Sequence, residues 1–121
     1  MVHQVTPEVC SNVTELIGNT DLVRINSLSE LTGCNILLKC EQQNPGGSIK
    51  DRAALQLVKD AIDNGKLRPG MTIVEGTAGN TGIGLALVAK ALGFNMRVVM
   101  PKGQAVEKER LIKLHGADLI L

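Results

Sequence analysis

The 121-residue sequence has almost no aromatic side chains: Phe94 is the only one, and both tryptophan and tyrosine are absent. Stacking platforms for nucleic-acid bases and cages for cationic ligands are built from such rings, so neither is expected. The net charge of +1 also provides no strongly basic surface. The sequence therefore predicts no nucleic-acid or membrane partner, and it predicts that Phe94 packs in the core.

Long apolar runs and metal-ligand patterns are missing as well. No run approaches the length of a membrane-spanning helix, and the start, MVHQVTPEVCSN, has no apolar stretch of signal-peptide length. Cys10, Cys34 and Cys40 are odd in number and lack metal-type spacing. We interpret them as reduced thiols packed as small hydrophobic side chains, so no metal site is expected and the predicted location is cytoplasmic.

Apolar runs alternate along the chain with segments of helical periodicity, and the composition is that of a soluble globular protein. The predicted strands are 36–40, 71–74, 96–100 and 118–121, and the predicted helices are 49–64, 80–92 and 105–115. This βαβαβαβ order is typical of a single α/β domain with a parallel sheet and helices on its faces. The last strand reaches Leu121 without a turn or polar tail, so we expect the sequence to be the N-terminal part of a longer protein.

The segment EQQNPGGSIKDR, residues 41–52, leads from the first predicted strand into the first predicted helix. Residues 45–47 predict a tight turn whose glycines are free to take positive φ angles, and Ser48 with Asp51 matches a capping box. Lys50 would then lie near the second helical position, where the helix dipole disfavours a cation. Two interpretations stay open here: a lysine that reaches back to solvent, or an amine held for nucleophilic chemistry.

The segment VEGTAGNTGIG, residues 74–84, leaves the second predicted strand and opens the next helix. Its backbone N–H groups and the hydroxyls of Thr77 and Thr81 can converge on a phosphate or a carboxylate. The alternative is a glycine-rich turn that serves close packing. No Gly-Lys-Ser/Thr follows, which excludes a Walker loop. The G-x-x-G-x-G spacing, and a next strand ending in MPK, argue against a dinucleotide site.

NPGGSIKDRAA followed by EGTAGNTGIGLA resembles the cysteine synthase family, the β-replacement branch of fold-type II pyridoxal-phosphate enzymes that includes cystathionine β-synthase. ELIGNT, LVRI and MPKGQAVEKERLIKLHGADLIL extend the similarity over nearly the whole chain after residue 14. The resemblance implies the parallel βαβ three-layer sheet of that fold, incomplete at its C-terminus. It also implies that residues 1–121 are the N-terminal portion of a β-replacement enzyme domain.

The resemblance further implies that Lys50 holds pyridoxal 5'-phosphate as a Schiff base, and that Asn80 hydrogen-bonds the pyridoxal 3′-oxygen. The residues implied to hold the substrate carboxylate are Thr77, Ala78, Gly79 and Thr81. In the implied reaction Lys50 is displaced by O-acetylserine and removes its α-proton as general base. Sulfide or another thiol then replaces acetate at the β-carbon, and a new amino acid is released, which is cysteine when sulfide is the nucleophile. A homodimer is implied for the full-length protein.

Three departures from the family pattern qualify these implications. Asp21 stands where the family usually has proline. Ala78 stands where most cysteine synthases have serine, and this second departure leaves the β-substituted donor open. The family's loop for the cofactor phosphate lies beyond Leu121, so we expect the chain alone to be inactive. The alternatives are a cystathionine β-synthase or serine/threonine dehydratase type of enzyme, and a truncated non-catalytic relative that acts as a binding partner.

Overall fold

The computed structural model describes residues 9–121, so His3 and most of the segment searched for a targeting signal lie outside the described residues. Single turns of 3₁₀ helix occur at Val13–Leu16 and Glu41–Gln43. The longer elements, in chain order, are β1 (Leu22–Arg24), α1 (Asn26–Thr32), β2 (Leu37–Lys39), α2 (Lys50–Asp63), β3 (Thr72–Gly76), α3 (Asn80–Ala91), β4 (Asn95–Val99), α4 (Val106–Leu114) and β5 (Asp118–Ile120).

Every predicted helix and strand is present, and each of its ends lies within two residues of the predicted one. Two of the helix ends show common C-terminal signals: Gly65 has a φ of 67° after α2, and His115 is the C-cap residue of α4. The sequence pattern missed β1 and α1. The sequence of β1, Leu-Val-Arg, does not alternate between apolar and polar residues, and all three of its residues are exposed.

The prediction that the strand at 36–40 joins the parallel sheet is wrong. This strand, β2, pairs instead with β1 in an antiparallel two-stranded sheet, where Val23 lies opposite Leu38. The parallel sheet has the order β3-β4-β5, with Val74 opposite Arg97 and Val98 opposite Leu119. An apolar run indicates a strand but not its partner, and the unpredicted β1 supplies that partner here.

The core lies between α2, α3, α4 and one face of the parallel sheet. Residues 82–89 of α3 are all buried, because this helix packs against both of its helical neighbours and β4. Val58 of α2, Val98 of β4 and Ile112 of α4 are at most 2% exposed and enclose it. Phe94 is half-buried against this cluster, as predicted.

Within residues 9–121 the helices cover only one face of the parallel sheet, whereas the sequence predicted helices on its faces. Along β4 the side chains alternate: Met96 and Val98 are buried, and Asn95, Arg97 and Val99 are exposed. The exposed face presents Val74 and Val99 to solvent, together with an ion pair of 3.4 Å between Arg97 and Asp118.

Two further expectations concern cysteines and membranes. Cys40 is buried, but Cys10 and Cys34 are exposed, so the predicted packing as small hydrophobic side chains is wrong for these two. Both flank short elements at the surface, where no core is available to cover them. In the stretch from residue 9 onward, no helix has the length and the apolar content needed to cross a bilayer.

Candidate functional site

Lys50 is the first residue of α2, and its side chain is exposed. The hydroxyl of Ser48 accepts a hydrogen bond of 3.1 Å from the backbone N–H of Lys50. The N-cap position of α2 is Ile49 and no side chain caps the helix, so the predicted N-cap role of Ser48 is wrong. The Nζ atom of Lys50 makes no hydrogen bond or ion pair with the residues that the structure describes. The amine is therefore free for a ligand.

The other half of the predicted capping box is wrong. The Asp51 carboxylate does not reach back to Ser48; it accepts a hydrogen bond from the backbone N–H of Gly46. The turn places this N–H directly beside the buried carboxyl, where a β-carbon on Gly46 would lie 2.4 Å from Asp51 Oδ1. Gly46 is thus required for close approach, and Gly47, with a φ of 80°, takes the positive φ that glycine makes accessible in this turn.

Burial raises the pKa of the Asp51 carboxyl above its ordinary value. The hydrogen bond from Gly46 and the charge of His115 oppose that rise without cancelling it. The side chain is 0% exposed. Buried carboxyls with a shifted pKa are common at functional sites, so the position of Asp51 next to the candidate lysine supports this turn as part of the candidate site.

A polar cluster that the sequence reasoning missed supports the segment before Lys50. The Arg52 guanidinium donates to both carboxylate oxygens of Glu41, with Nε–Oε2 2.8 Å and Nη2–Oε1 3.0 Å, and Nη2 also donates to Thr20 Oγ1 at 3.1 Å. Hydrogen bonds to the Glu41 carboxylate, from Arg52 above all and from Thr20 Oγ1 at 2.7 Å, lower the pKa of Glu41 to about 2. The available signal was the pair of opposite charges at both ends of residues 41–52.

Asn44 completes this cluster, although it is only 3% exposed and was not singled out by the sequence. Its Oδ1 accepts from the backbone N–H of Gly18 at 2.8 Å, and its Nδ2 donates to the backbone oxygen and to a carboxylate oxygen of Glu41, both at 2.9 Å. Every polar group of this amide is therefore engaged. The cluster ties the 18–20 segment to the turn that precedes Lys50.

The second predicted loop, residues 77–81, connects the C-terminal end of β3 to α3. Its N-cap residue Gly79 is extended, and no side chain caps the helix. The backbone N–H groups of Ala78, Asn80 and Thr81 have no hydrogen-bond partner among the described residues, whereas that of Gly79 donates to Thr77 Oγ1 at 3.3 Å. Free N–H groups at a helix N-terminus are suited to bind an anion.

The packing interpretation of this loop is also correct, both at Gly82 and at Gly84. A β-carbon on Gly82 would lie 2.8 Å from the Thr77 methyl group and 3.4 Å from side-chain atoms of Val98 and Ile112. The glycine therefore lets the first turn of α3 approach the sheet and the loop. Close packing and an open anion-binding end coexist in the same segment.

The two predicted segments meet where α2 crosses α3. A β-carbon on Gly84 would lie 3.1 Å from the backbone oxygen of Lys50 and 3.2 Å from the backbone nitrogen of Asp51. Asn80 precedes Gly84 by four residues, so both lie on the same side of α3. The structure thus brings the start of α2, with Lys50, beside the first turn of α3, with Asn80.

Two cavities lie near these helices. One of about 520 Å³ opens at the C-terminal ends of β3 and β4, and its lining includes Thr77, Ala78, Met100 and Pro101 but not Lys50 or Asn80. The other, of about 300 Å³, lies near the N-terminal end of β3 and is mostly apolar. The first cavity lies at the carboxyl ends of the strands, where ligands of open parallel sheets gather, and two of the four predicted substrate-loop residues line it. Residues 9–121 contain no group of three His, Cys, Asp or Glu that could hold a metal ion.

The molecule is thus an α/β protein with a parallel sheet, an exposed lysine at the start of one helix and an uncapped N-terminus on the next, which is suited to bind an anion. The model of the family described as "Pyridoxal-phosphate dependent enzyme" matches residues 13–121. The chain belongs to this family, and pyridoxal phosphate is the cofactor of the family.

Known relatives agree with this assignment. Cysteine synthase 1 of Emericella nidulans is 57% identical over 109 residues, which are 90% of this chain and 30% of the relative. Cystathionine beta-synthase of Mus musculus is 44% identical over 117 residues, which are 95% of this chain and 21% of that protein. The chain therefore spans less than a third of the length of these relatives, and the resemblance stated from the sequence is confirmed.

Solved structures show the same fold. The structure of O-ureido-L-serine synthase matches with a TM-score of 0.89 and 42% identity, covering 94% of this chain and 36% of that chain. Cysteine synthase from Entamoeba histolytica matches with a TM-score of 0.89 and 38% identity, covering all of this chain and 38% of that one. The fold is that of fold-type II pyridoxal-phosphate enzymes, of which this chain contains a part.

Proposed function

We propose that this chain is part of a pyridoxal-phosphate-dependent β-replacement enzyme of the cysteine synthase type, in which Lys50 is the cofactor lysine. The observation that carries the proposal is the position of Lys50. Its exposed amine, which has no partner within residues 9–121, projects from the start of α2, and the backbone at that point packs on Gly84, one turn from the uncapped start of α3. The 57% identity to a cysteine synthase supports this branch of the family.

The residues present fit the amine-reactive part of the cofactor. When bound, pyridoxal phosphate supplies an electron sink for the bonds at the α-carbon of an amino acid. Lys50 provides the amine that would hold it and, when free, a base for the α-proton. The Asn80 amide, in the first turn of α3, is the group we assign to the pyridoxal 3′-oxygen.

The loop after β3 is the part that we assign to the substrate carboxylate, through Thr77, Ala78, Gly79 and Thr81. The unpartnered N–H groups of Ala78 and Thr81 are its donors, and the helix dipole of α3 adds to their attraction for an anion. Ala78 contributes no hydroxyl, so the contact to the substrate at this position is through its backbone alone.

The reaction we propose converts O-acetylserine and sulfide into cysteine and acetate, in the cytoplasm and in a homodimer. A cystathionine β-synthase type of reaction, with serine as donor and a thiol as nucleophile, is the second candidate. The 44% identity to the mouse enzyme of that name supports it. Product analysis with O-acetylserine, serine and O-phosphoserine distinguishes the two, using the chain and any longer form of the protein that contains it.

Cofactor attachment is tested on the purified chain by adding pyridoxal phosphate, reducing with borohydride and mapping the labelled lysines. We expect the label to concentrate on Lys50 over Lys59, an exposed lysine of the same helix. Lys50→Ala should remove the selective label, and it should abolish turnover in an active form of the protein. A label spread evenly over the lysines, or β-replacement activity retained by Lys50→Ala, would refute the assignment.

A further inference from the structure

Asp51 is a fully buried carboxyl that the proposed reaction does not use. Its side chain is 0% exposed; Oδ2 accepts the hydrogen bond from Gly46, and Oδ1 has no hydrogen-bond partner among the described residues. Burying a polar atom without a partner is unfavourable, so such a group in a folded protein calls for an explanation.

The carboxyl is enclosed by two glycines from different elements. A β-carbon would lie 2.4 Å from Asp51 Oδ1 if it were placed on Gly46, and 3.2 Å if it were placed on Gly84. The turn before α2 and the first turns of α3 therefore close on this one side chain. Neither glycine can gain a methyl group unless the carboxyl or its backbone moves.

Asp51 directly follows Lys50, and the two side chains point in different directions. Lys50 is exposed, whereas Asp51 points into the contact between the turn, α2 and α3. The backbone oxygen of Lys50 lies in that same contact, against Gly84. The backbone from which the Lys50 amine projects is thus held by the neighbouring buried carboxyl.

We propose that Asp51 is a positioning residue for Lys50: by joining the 45–47 turn to the first turn of α2 against α3, it sets the direction of the Lys50 amine toward the loop at 77–81. This inference rests on the proposed function, in which Lys50 holds the cofactor. Asp51 itself contacts neither cofactor nor substrate.

The test compares three variants of the chain. Asp51→Asn keeps an oxygen of the same reach, Asp51→Ala removes the acceptor, and Asp63→Ala removes an exposed carboxylate from the other end of α2 as the matched control. Two quantities are measured: hydrogen exchange of the Gly46 amide, and the ratio of borohydride-fixed pyridoxyl label on Lys50 to that on Lys59. Circular dichroism checks that each variant is folded.

We expect Asp51→Ala to speed the exchange of the Gly46 amide and to lower the Lys50:Lys59 label ratio, each by about tenfold, the size of one lost hydrogen bond. Asp51→Asn should restore both toward the wild-type values, and Asp63→Ala should change neither. If Asp51→Ala fails to fold, Asp51→Ser, whose shorter side chain cannot span to Gly46, takes its place with the same expectations.

The outcomes separate the two proposals. Faster exchange of the Gly46 amide with an unchanged label ratio in Asp51→Ala would show that Asp51 is only structural and would overturn the inference. Unchanged exchange would overturn the hydrogen bond between Gly46 and Asp51 on which the inference depends. If the wild-type chain already labels its lysines evenly, the proposed function fails instead. In that case the exchange data still report whether Asp51 holds the turn.

Discussion

The residues around Lys50 show which features a local sequence pattern can predict and which it cannot. The Ser48 hydroxyl accepts a hydrogen bond from the neighbouring Lys50 N–H, but the N-cap position of α2 is Ile49, so Ser48 does not cap the helix as the pattern predicted. The partner of Asp51 was not predictable either, because the Gly46 N–H reaches the carboxyl only after the turn has folded back. The S-x-x-D pattern therefore located the helix start to within one residue and assigned the wrong hydrogen bonds. The roles of Lys50, Asn80 and the loop residues stay predictions.

The fork, in which two nitrogens of Arg52 donate to the two carboxylate oxygens of Glu41, can be tested with a single substitution. Arg52→Lys keeps the charge but replaces the planar, two-nitrogen contact to Glu41, and it also loses the hydrogen bond to Thr20. We expect a lower urea midpoint of unfolding and faster hydrogen exchange at Gly18, which the same cluster holds through Asn44. Arg110→Lys, at an exposed position of α4, is the control, and an equal effect of the two changes would contradict the role of the fork.

Among the elements, the helices were predicted better than the sheet. A helix such as α2 carries its own evidence, because Ala54 and Val58 recur at helical spacing on its buried side. The pairing of a strand depends on residues far away in the chain. The partner of β2 is β1, whose three exposed residues have no alternating pattern, and this explains the wrong assignment of β2 to the parallel sheet.

The contact between α2 and α3 can be tested with Gly84→Ala. The added methyl group would press on backbone atoms of Lys50 and Asp51, which cannot rotate away. Overpacking costs about 1–3 kcal/mol, and alanine recovers about 1 kcal/mol of helix propensity, so we expect the free energy of unfolding to fall by up to about 2 kcal/mol. Urea denaturation measures it. Gly76→Ala, whose methyl group meets nothing within 4 Å, should have a much smaller effect.

The packing of α4 gives a second test at the level of elements. Ile112 is 0% exposed, and its side chain lies near Gly82 at the start of α3. Ile112→Ala should lower the free energy of unfolding by about 2–5 kcal/mol, because the surrounding helices and sheet cannot fill the space. Leu114→Ala, at a position 77% exposed in the same helix, is the control. Similar losses for both variants would show that α4 does not pack as described.

For the molecule as a whole, the sequence predicted the α/β class, the order of its main elements and, through two motifs, the family. It did not predict that helices cover only one face of the parallel sheet within residues 9–121. Periodicity shows that Val74 and Val99 belong to apolar strands, but it does not show which face of a strand is covered. That information depends on the rest of the fold, of which this chain spans a part.

The pH dependence of stability combines two carboxyls with opposite shifts. Glu41 has its pKa lowered to about 2 from 4.5, so its contribution to stability is present above the ordinary value and is lost as the pH falls through about 2. Burial raises the pKa of Asp51 above 3.8, so its contribution is complete below that value and is lost as the pH rises through the raised pKa.

Urea unfolding of the wild-type chain, Glu41→Gln and Asp51→Asn, followed from about pH 2 to about pH 7, should therefore show opposite trends. The advantage of the wild type over Glu41→Gln should shrink with acid, since protonation removes the charge that Arg52 binds. The free energy of unfolding of the wild type, relative to that of Asp51→Asn, should fall as the pH rises. At higher pH the wild type must keep an ionised carboxylate buried beside Gly46 and Gly84. Parallel pH profiles for the two variants would contradict the opposite environments that the fold gives these carboxyls on either side of Lys50.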